Sequence, residues 1–212
     1  MYKLIKMHNS ESEGKILPLV EEFFSVQGEG YHTGKAAYFI RLGGCDVGCS
    51  WCDSRFAWDP SLHPLVETDI IVNNVILSGT DSVVVTGGEP LMWNLDYLCS
   101  CLKSRDIKTF IETSGAYPLS GKWDWICLSP KEKMPPLSNI CKMADELKVI
   151  IQDRNDFRWA EKYRNLVRKG CFLFLQPEWK HFSDVIPEIV EYVKRNPVWR
   201  ISLQTHKYMH IP

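Results

Sequence analysis

Cys45, Cys49 and Cys52 stand at C-x3-C-x2-C spacing inside one short stretch, Gly43-Gly44-Cys45-Asp46-Val47-Gly48-Cys49-Ser50-Trp51-Cys52-Asp53-Ser54. The three glycines among them let the backbone wrap tightly. Three thiols on one curved loop make a metal-binding surface, and their number sets its chemistry. A structural zinc site is closed by four protein ligands. A cubane iron–sulfur cluster has four irons and normally takes four thiolates. Three thiolates therefore leave one iron open, as an open position does in catalytic metal sites. The plain alternative is three buried or zinc-binding cysteines.

A second stretch, Thr86-Gly87-Gly88-Glu89-Pro90, follows the β-branched run Val83-Val84-Val85. Paired glycines at a strand end expose backbone carbonyls and N–H groups, and Glu89 adds a carboxylate. Together they offer the several oxygen acceptors that an α-ammonium group needs. The plain alternative is a strand–turn with a solvated glutamate. A third stretch, Gln27-Gly28-Glu29-Gly30, sets two glycines around a carboxylate, so that the backbone comes close to a ligand. Arg41 interrupts the apolar strand Ala37–Leu42. A buried arginine needs an anion or hydrogen-bond partner. Local sequence leaves a core salt bridge and a clamp for a substrate carboxylate equally open.

The elements that must position these groups read as alternating strands and helices. Residues 19–27, 37–42, 83–85, 108–112, 123–128, 146–151, 171–175 and 200–203 carry strand patterns. Residues 67–78 have apolar positions at helical spacing, with Thr68 as N-cap. Asn94 caps a helix running to about Ser104, and residues 154–169 and 183–195 are helical. The alternation predicts an α/β fold with a mostly parallel sheet. The polar segments repeatedly follow strand ends: the cysteine loop, Gly87-Gly88-Glu89, Thr113-Ser114-Gly115, Ser129-Pro130-Lys131 and Gln176-Pro177. In parallel barrels and part-barrels that edge carries the active site.

Composition narrows the class. The chain has 212 residues, 45% of them hydrophobic, with 25 basic and 26 acidic side chains. That predicts one globular domain over 1–212, with no pull toward nucleic acid. No apolar run approaches the roughly 18 residues of a membrane span. The stretch from Met1 to Pro18 is polar and lacks a signal-peptide core. Eight cysteines without a secretory signal predict reduced thiols and a cytoplasmic location. Cys99, Cys101, Cys127, Cys141 and Cys171 lie in apolar contexts and read as packing residues.

The cysteine spacing, the aromatic Trp51 before the last cysteine and the Gly-Gly-Glu-Pro segment resemble the radical S-adenosylmethionine superfamily. In that superfamily the open iron chelates the amino and carboxylate groups of the cofactor's methionine moiety, and an electron from the cluster yields a 5′-deoxyadenosyl radical. Val26-Gln27-Gly28-Glu29-Gly30, Phe39-Ile40-Arg41, Cys52-Asp53-Ser54 and the tail Gln204-Thr205-His206-Lys207 narrow the likeness. From about Glu22 to Pro212 the chain closely resembles the 7-carboxy-7-deazaguanine synthase family of the queuosine pathway.

The resemblance implies conversion of 6-carboxy-5,6,7,8-tetrahydropterin to 7-carboxy-7-deazaguanine with release of ammonia. S-adenosylmethionine is regenerated each turnover, and magnesium is required. It also implies an abbreviated radical-enzyme barrel with fewer helices, a homodimer and a reducing donor such as flavodoxin. By the same resemblance Cys45, Cys49 and Cys52 hold a 4Fe-4S cluster. Trp51, Cys52, Asp53, Gly88, Glu89, Gly115, Ser129, Pro130, Lys131 and Gln176 contact S-adenosylmethionine. Val26, Gln27, Gly28, Glu29, Arg41, Thr113, His206 and the Pro212 carboxylate face the pterin, with Glu29, Arg41 and His206 at the chemistry. Ser54 stands where the family usually has the magnesium ligand Thr; it keeps the hydroxyl oxygen but loses a methyl.

Two other readings compete. A short activase that makes a glycyl radical on a protein partner would share the cysteine and Gly-Gly-Glu-Pro motifs, but would leave Gln27–Gly30 and the tail unexplained. A zinc-stabilised or iron–sulfur scaffold protein would bind no S-adenosylmethionine.

Overall fold

A computed structural model describes residues 13–212; the polar stretch expected over Met1–Pro18 lies largely outside the described residues. Nine strands form one sheet in the order β3-β1-β2-β4-β5-β6-β7-β8-β9, with β3 and β9 as free edges, so the barrel is not closed. They are β1 Ile16–Val26, β2 Ala36–Leu42, β3 Leu65–Glu67, β4 Ser82–Gly87, β5 Lys108–Thr113, β6 Trp125–Leu128, β7 Glu146–Ile151, β8 Phe172–Pro177 and β9 Trp199–Ile201. Strands β2 and β4 to β9 run parallel, whereas β1 pairs antiparallel with both β2 and β3. The mostly parallel α/β sheet predicted from sequence is the observed one.

Among the described residues the α-helices are α1 Thr68–Leu77, α2 Asp96–Lys103, α3 Ser138–Met143, α4 Asp156–Arg164, α5 Phe182–Arg195 and α6 Thr205–Met209. Side chains alternate across each strand. On one face Ile40, Leu42, Val83, Val85, Ile111, Leu147 and Val149 meet helix residues Ile71, Val75, Leu98, Leu102, Ile140 and Ile189 in one large core. Burying each such aliphatic chain contributes about 1.5–3 kcal/mol. The other face carries a small aromatic core of Ala37, Phe39, Val84 and Phe110, with Phe23 and Trp125 against it. Among the described residues no helix residue joins that second core, which leaves that face of the sheet for a site.

Several local expectations need correction. Strand β1 begins three residues before the predicted start and runs antiparallel. Thr68 is the first helical residue rather than the cap: Glu67 holds the N-cap position without a side-chain bond, and the Thr68 hydroxyl donates to the Gly14 carbonyl at 2.7 Å. Asn94 does accept a backbone N–H, from Asp96 at 2.9 Å, but the helix starts only at Asp96. Helix α4 stops at Arg164, five residues short of the predicted end, and β9 starts at Trp199. All eight cysteines are free. Of the five read as packing residues, Cys99, Cys127 and Cys141 are buried, while Cys101 and Cys171 are half-buried.

Candidate active site

The C-terminal ends of β2, β4, β5, β6, β7 and β8 open into a cavity of about 260 Å3. Its walls bring together every predicted site residue except Gly115 and Pro130. These two stand behind the lining. Gly115 donates its N–H to the Thr113 hydroxyl at 2.9 Å and accepts the Leu137 N–H at 2.8 Å.

Cys45, Cys49 and Cys52 occupy one wall. Their loop is strapped from two sides. Gly44 and Cys45 donate N–H groups to the carbonyls of Ala57 and Trp58, at 2.7 and 3.0 Å. From β4, Glu89 N–H donates to the Gly44 carbonyl at 2.8 Å. A Cβ on Gly88 would stand 2.3 Å from the Gly44 oxygen and 2.8 Å from the Cys45 Cβ. Glycine at 88 is thus what lets the two motifs touch. Burial pushes the Cys45 thiol up to about 11 and raises Cys49, with Lys131 opposing the shift at Cys49. A metal must displace those protons to bind. Among the described residues no three His, Cys, Asp or Glu side chains close on a single-ion site. Three thiols around an open cavity fit a cluster with one unligated iron.

Glu89 is 2% exposed. Its Oε1 accepts from Leu91 N–H at 3.0 Å and Thr113 Oγ1 at 2.6 Å. Its Oε2 accepts from Ser114 N–H at 2.7 Å and Ser114 Oγ at 2.5 Å. Those four donors use the carboxylate's capacity. Glu89 here organises the rim by locking the end of β5 to the end of β4. Thr113, expected against the pterin, spends its hydroxyl proton on Glu89.

The opposite wall is ionic. Lys148 rises from β7, with only 5% of its side chain exposed, and contacts Glu29 and, at 3.4 Å, Glu112. Burial alone would raise the Glu29 carboxyl, but the Lys148 charge, the Gln204 amide and His206 reverse that and hold it at about 2. Burial likewise opposes charge on Lys148, and Glu112 and Glu29 overcome it, holding the ammonium well above its ordinary value. Gln27 donates to Glu112 at 2.8 Å.

The tail closes over this wall. Thr205 donates its N–H and its hydroxyl to the Gly28 carbonyl, each at 2.9 Å. Gln204 Nε2 donates to Glu29 at 2.9 Å, and Lys207 to Asp53 at 2.9 Å. Asp53 sits directly after the last cysteine, so the tail bridges the cysteine loop and the Glu29 wall. Burial lowers the pKa of His206, with Glu29 opposing. Pro212 lines the cavity and its carbonyl accepts from Ser25 at 3.5 Å.

Arg41 is half-buried rather than buried. Its Nε donates to Glu21 at 2.7 Å and its guanidinium lies 5.9 Å from the Phe56 ring centre, yet it also lines the cavity. The ion-pair reading is seen, with Glu21 on the exposed side rather than in the core. Lys131 lies 5.1 Å from the Trp51 ring centre, and Gln176 accepts from Ser202 at 2.7 Å. Ser54 Oγ stands 3.6 Å from Cys52 Sγ.

Sequence reasoning assigned no role to Lys148, Glu112, Ser114, Gln204, Lys207 or Trp58, all of which shape this site. A signal existed for the first two: each is a charge within an apolar strand, the feature that singled out Arg41.

Comparison with known proteins agrees with this geometry. A family model described as a 4Fe-4S single cluster domain matches residues 26–151. A 7-carboxy-7-deazaguanine synthase of Flavobacterium psychrophilum is 54% identical over 200 residues, covering 94% of this chain and 95% of that protein. The Synechocystis enzyme of the same name is 46% identical over 92% of this chain and 93% of its own. The crystal structure of QueE from Escherichia coli superposes with a TM-score of 0.81 at 29% identity, covering 95% of this chain and all of that one. With that agreement in sequence and fold, the chain belongs to the 7-carboxy-7-deazaguanine synthase family of radical S-adenosylmethionine enzymes.

Proposed function

We propose that the chain converts 6-carboxy-5,6,7,8-tetrahydropterin to 7-carboxy-7-deazaguanine and ammonia, as a ring-contracting lyase of queuosine and 7-deazapurine biosynthesis. The observation that carries this is the tail: Gln204 binds Glu29 on the cavity that Cys45, Cys49 and Cys52 line. A glycyl-radical activase gives no account of that closure.

Cys45, Cys49 and Cys52 would hold the cluster, and Gly88, Ser129, Lys131 and Gln176 would flank S-adenosylmethionine. When bound, these groups supply the radical that abstracts hydrogen from the substrate. The chain's own residues do the rest. Glu29, held ionised, and Gln27 present acceptors to the N–H edge of a pterin. Arg41 presents its guanidinium to the substrate carboxylate. His206 and Pro212 cover the site, which keeps water from the reacting centre.

Magnesium is proposed at Ser54, whose hard hydroxyl oxygen suits a cation that keeps several waters and binds few protein groups. One domain carries the whole site, with the C-terminal tail as one wall; an N-terminal contribution before residue 13 lies outside the described residues. A homodimer, a flavodoxin-type donor, a cytoplasmic setting and a modified tRNA base as the product's destination complete the reading. Free thiols support that compartment, and among the described residues no helix is long and apolar enough to cross a membrane.

The test is anaerobic reconstitution with iron and sulfide, reduction, and incubation with S-adenosylmethionine, magnesium and the pterin, read by mass spectrometry. Carboxy-deazaguanine without stoichiometric loss of S-adenosylmethionine is the expected result. Cleavage of S-adenosylmethionine without any deazapurine would overturn the substrate assignment.

A further inference from the structure

Beside the main cavity lies a second, small one of about 10 Å3, the space of a single water. Gln27, Glu29 and Glu112 line both cavities and so form the wall between them. The far side is made by His32, Cys127 and Glu146. Neither His32 nor Glu146 has a part in the site described above.

Two buried polar atoms of this chamber lack a partner among the described residues: Glu146 Oε1 and His32 Nε2. Neither can turn away. Glu146 is 3% exposed, and its other oxygen accepts from the Tyr31 N–H at 3.2 Å and the Trp125 indole at 3.1 Å. The His32 ring lies flat on Phe110, 4.6 Å away at 1°, with the Tyr31 and Trp125 rings edge-on. Gly30 has φ +66°, and a Cβ there would stand 2.0 Å from Glu146 Oε1, so the chain is cut back to seat that oxygen. Orphaned buried polar atoms are rare and call for a partner.

One water there would complete the hydrogen bonding, since a buried water makes about three bonds. Its oxygen would accept from Glu146 Oε1 in the acid form, and its hydrogens would go to His32 Nε2 and the Glu112 carboxylate. Burial pushes the Glu146 carboxyl up, with Lys148 opposing and Glu112 adding to the shift. Burial and Lys35 lower the pKa of His32, which leaves Nε2 free to accept.

We propose that this chamber is a water site, and that Glu146 acts through its water as the proton store for the Glu112 side of the substrate cavity. The functional part rests on the reading above, because ammonia can leave the pterin only if its nitrogen gains a proton. A proton passes from Glu146 Oε1 to the water oxygen while a proton of that water passes to a Glu112 carboxylate oxygen. The water is restored, Glu146 is left as carboxylate and Glu112 as acid, and no electron moves. Solvent returns the proton by the His32 side. Glu146 touches no substrate and is a positioning residue.

The test is Glu146→Gln in the reconstituted enzyme. The amide oxygen keeps the Tyr31 and Trp125 bonds, and the amide N–H still donates to the water, but no proton can be given up. Cluster content and the KM for pterin should hold while kcat falls at least about tenfold, or about 1.4 kcal/mol. The relay needs the acid form, so wild-type kcat declines as pH rises through the elevated Glu146 value, and the variant lacks that limb. The other groups facing Glu146 are Lys148 on its own strand, Glu29 after β1, Glu112 from β5, Cys127 from β6, Cys171 beside β8, and His32. Wild-type kcat with an unchanged pH profile would overturn the relay. Should the glutamine variant fail to fold, His32→Phe keeps the stack on Phe110 and removes the acceptor; unchanged kcat there is equally fatal. Diffraction from wild-type crystals scores the water itself, and a dry chamber defeats the site. A wild-type enzyme that makes no deazapurine overturns the functional reading and the relay with it, whereas the water is judged by diffraction alone.

Discussion

Trp58 donates its indole N–H to Cys52 Sγ at 3.3 Å, while its carbonyl accepts the Cys45 N–H at 3.0 Å. One residue thus ties the first cysteine of the loop to the third. Arg55 holds it in place, with its guanidinium 5.5 Å from the ring centre and a hydrogen bond to the Ser50 carbonyl. A donor at a ligating sulfur stabilises the more negative, reduced cluster and so raises its potential. Trp58→Phe keeps the packing and removes the N–H. In an EPR-monitored redox titration the midpoint should become more negative, on the order of tens of millivolts, where about 59 mV is tenfold in a one-electron equilibrium. Iron content should not change. A midpoint equal to wild type would show that the bond has no electronic effect.

Arg41 divides its guanidinium between Glu21 and the cavity. Lysine can replace the charge but not the planar fork that meets a carboxylate with two bonds. Arg41→Lys should fold and load its cluster normally. Its KM for the pterin should rise about tenfold, roughly 1.4 kcal/mol of binding. An unchanged KM would remove Arg41 from the substrate site.

Lys148 lies between Glu29 and Glu112. Removing one partner of a buried ion pair typically costs about 3–5 kcal/mol, because the remaining charge stays buried. Lys148→Met should therefore lower Tm by roughly 10 °C. Adding Glu29→Gln should recover part of that loss, the signature of direct coupling in a double-mutant cycle. Additive losses would mean that the two side chains do not share an interaction.

The same pair sets an acid limit. The Glu29 carboxyl is held at about 2, below its ordinary value of 4.5. A depressed carboxylate contributes stability that is present above the unfolded value and is lost as pH falls through the folded one. Urea midpoints of the wild type should therefore drop between about pH 4.5 and 2, and Glu29→Gln should show a shallower drop over that window. Parallel curves would show that Glu29 gains nothing from Lys148.

The legible part of this site was the part written locally. Cys45, Cys49 and Cys52 lie within eight residues, and Gly88 and Glu89 adjoin a strand whose β-branched run is plain, so spacing alone carried them to one rim. Partnership was not written locally. Thr113 and Glu89 bond across 24 positions, and Lys148 and Glu29 across 119. Nothing near Thr113 says that its hydroxyl belongs to Glu89. The elements missed, β3 at Leu65–Glu67, α3 at Ser138–Met143 and α6 at Thr205–Met209, are three to six residues long. Short pieces like these owe their shape to tertiary contacts rather than propensity; α6, for one, is held where Thr205 bonds to Gly28.

That bond identifies the tail as a wall of the site. Removing residues 206–212 deletes His206, the Lys207–Asp53 ion pair and the Pro212 contact with Ser25, yet touches none of the three cluster cysteines. The truncated enzyme should bind iron and sulfide as the wild type does. It should still cleave S-adenosylmethionine, because the strap from Gly88 and Glu89 to the cysteine loop is intact. Ring contraction should fall below about one hundredth of wild type, since the exposed centre loses both substrate contacts and its shield from water. The informative quantity is the ratio of deazapurine to 5′-deoxyadenosine in one reaction. A collapsed ratio with normal cluster absorbance assigns the tail to substrate handling. An unchanged ratio would mean that Gln204 and Thr205, which remain, close the site without it.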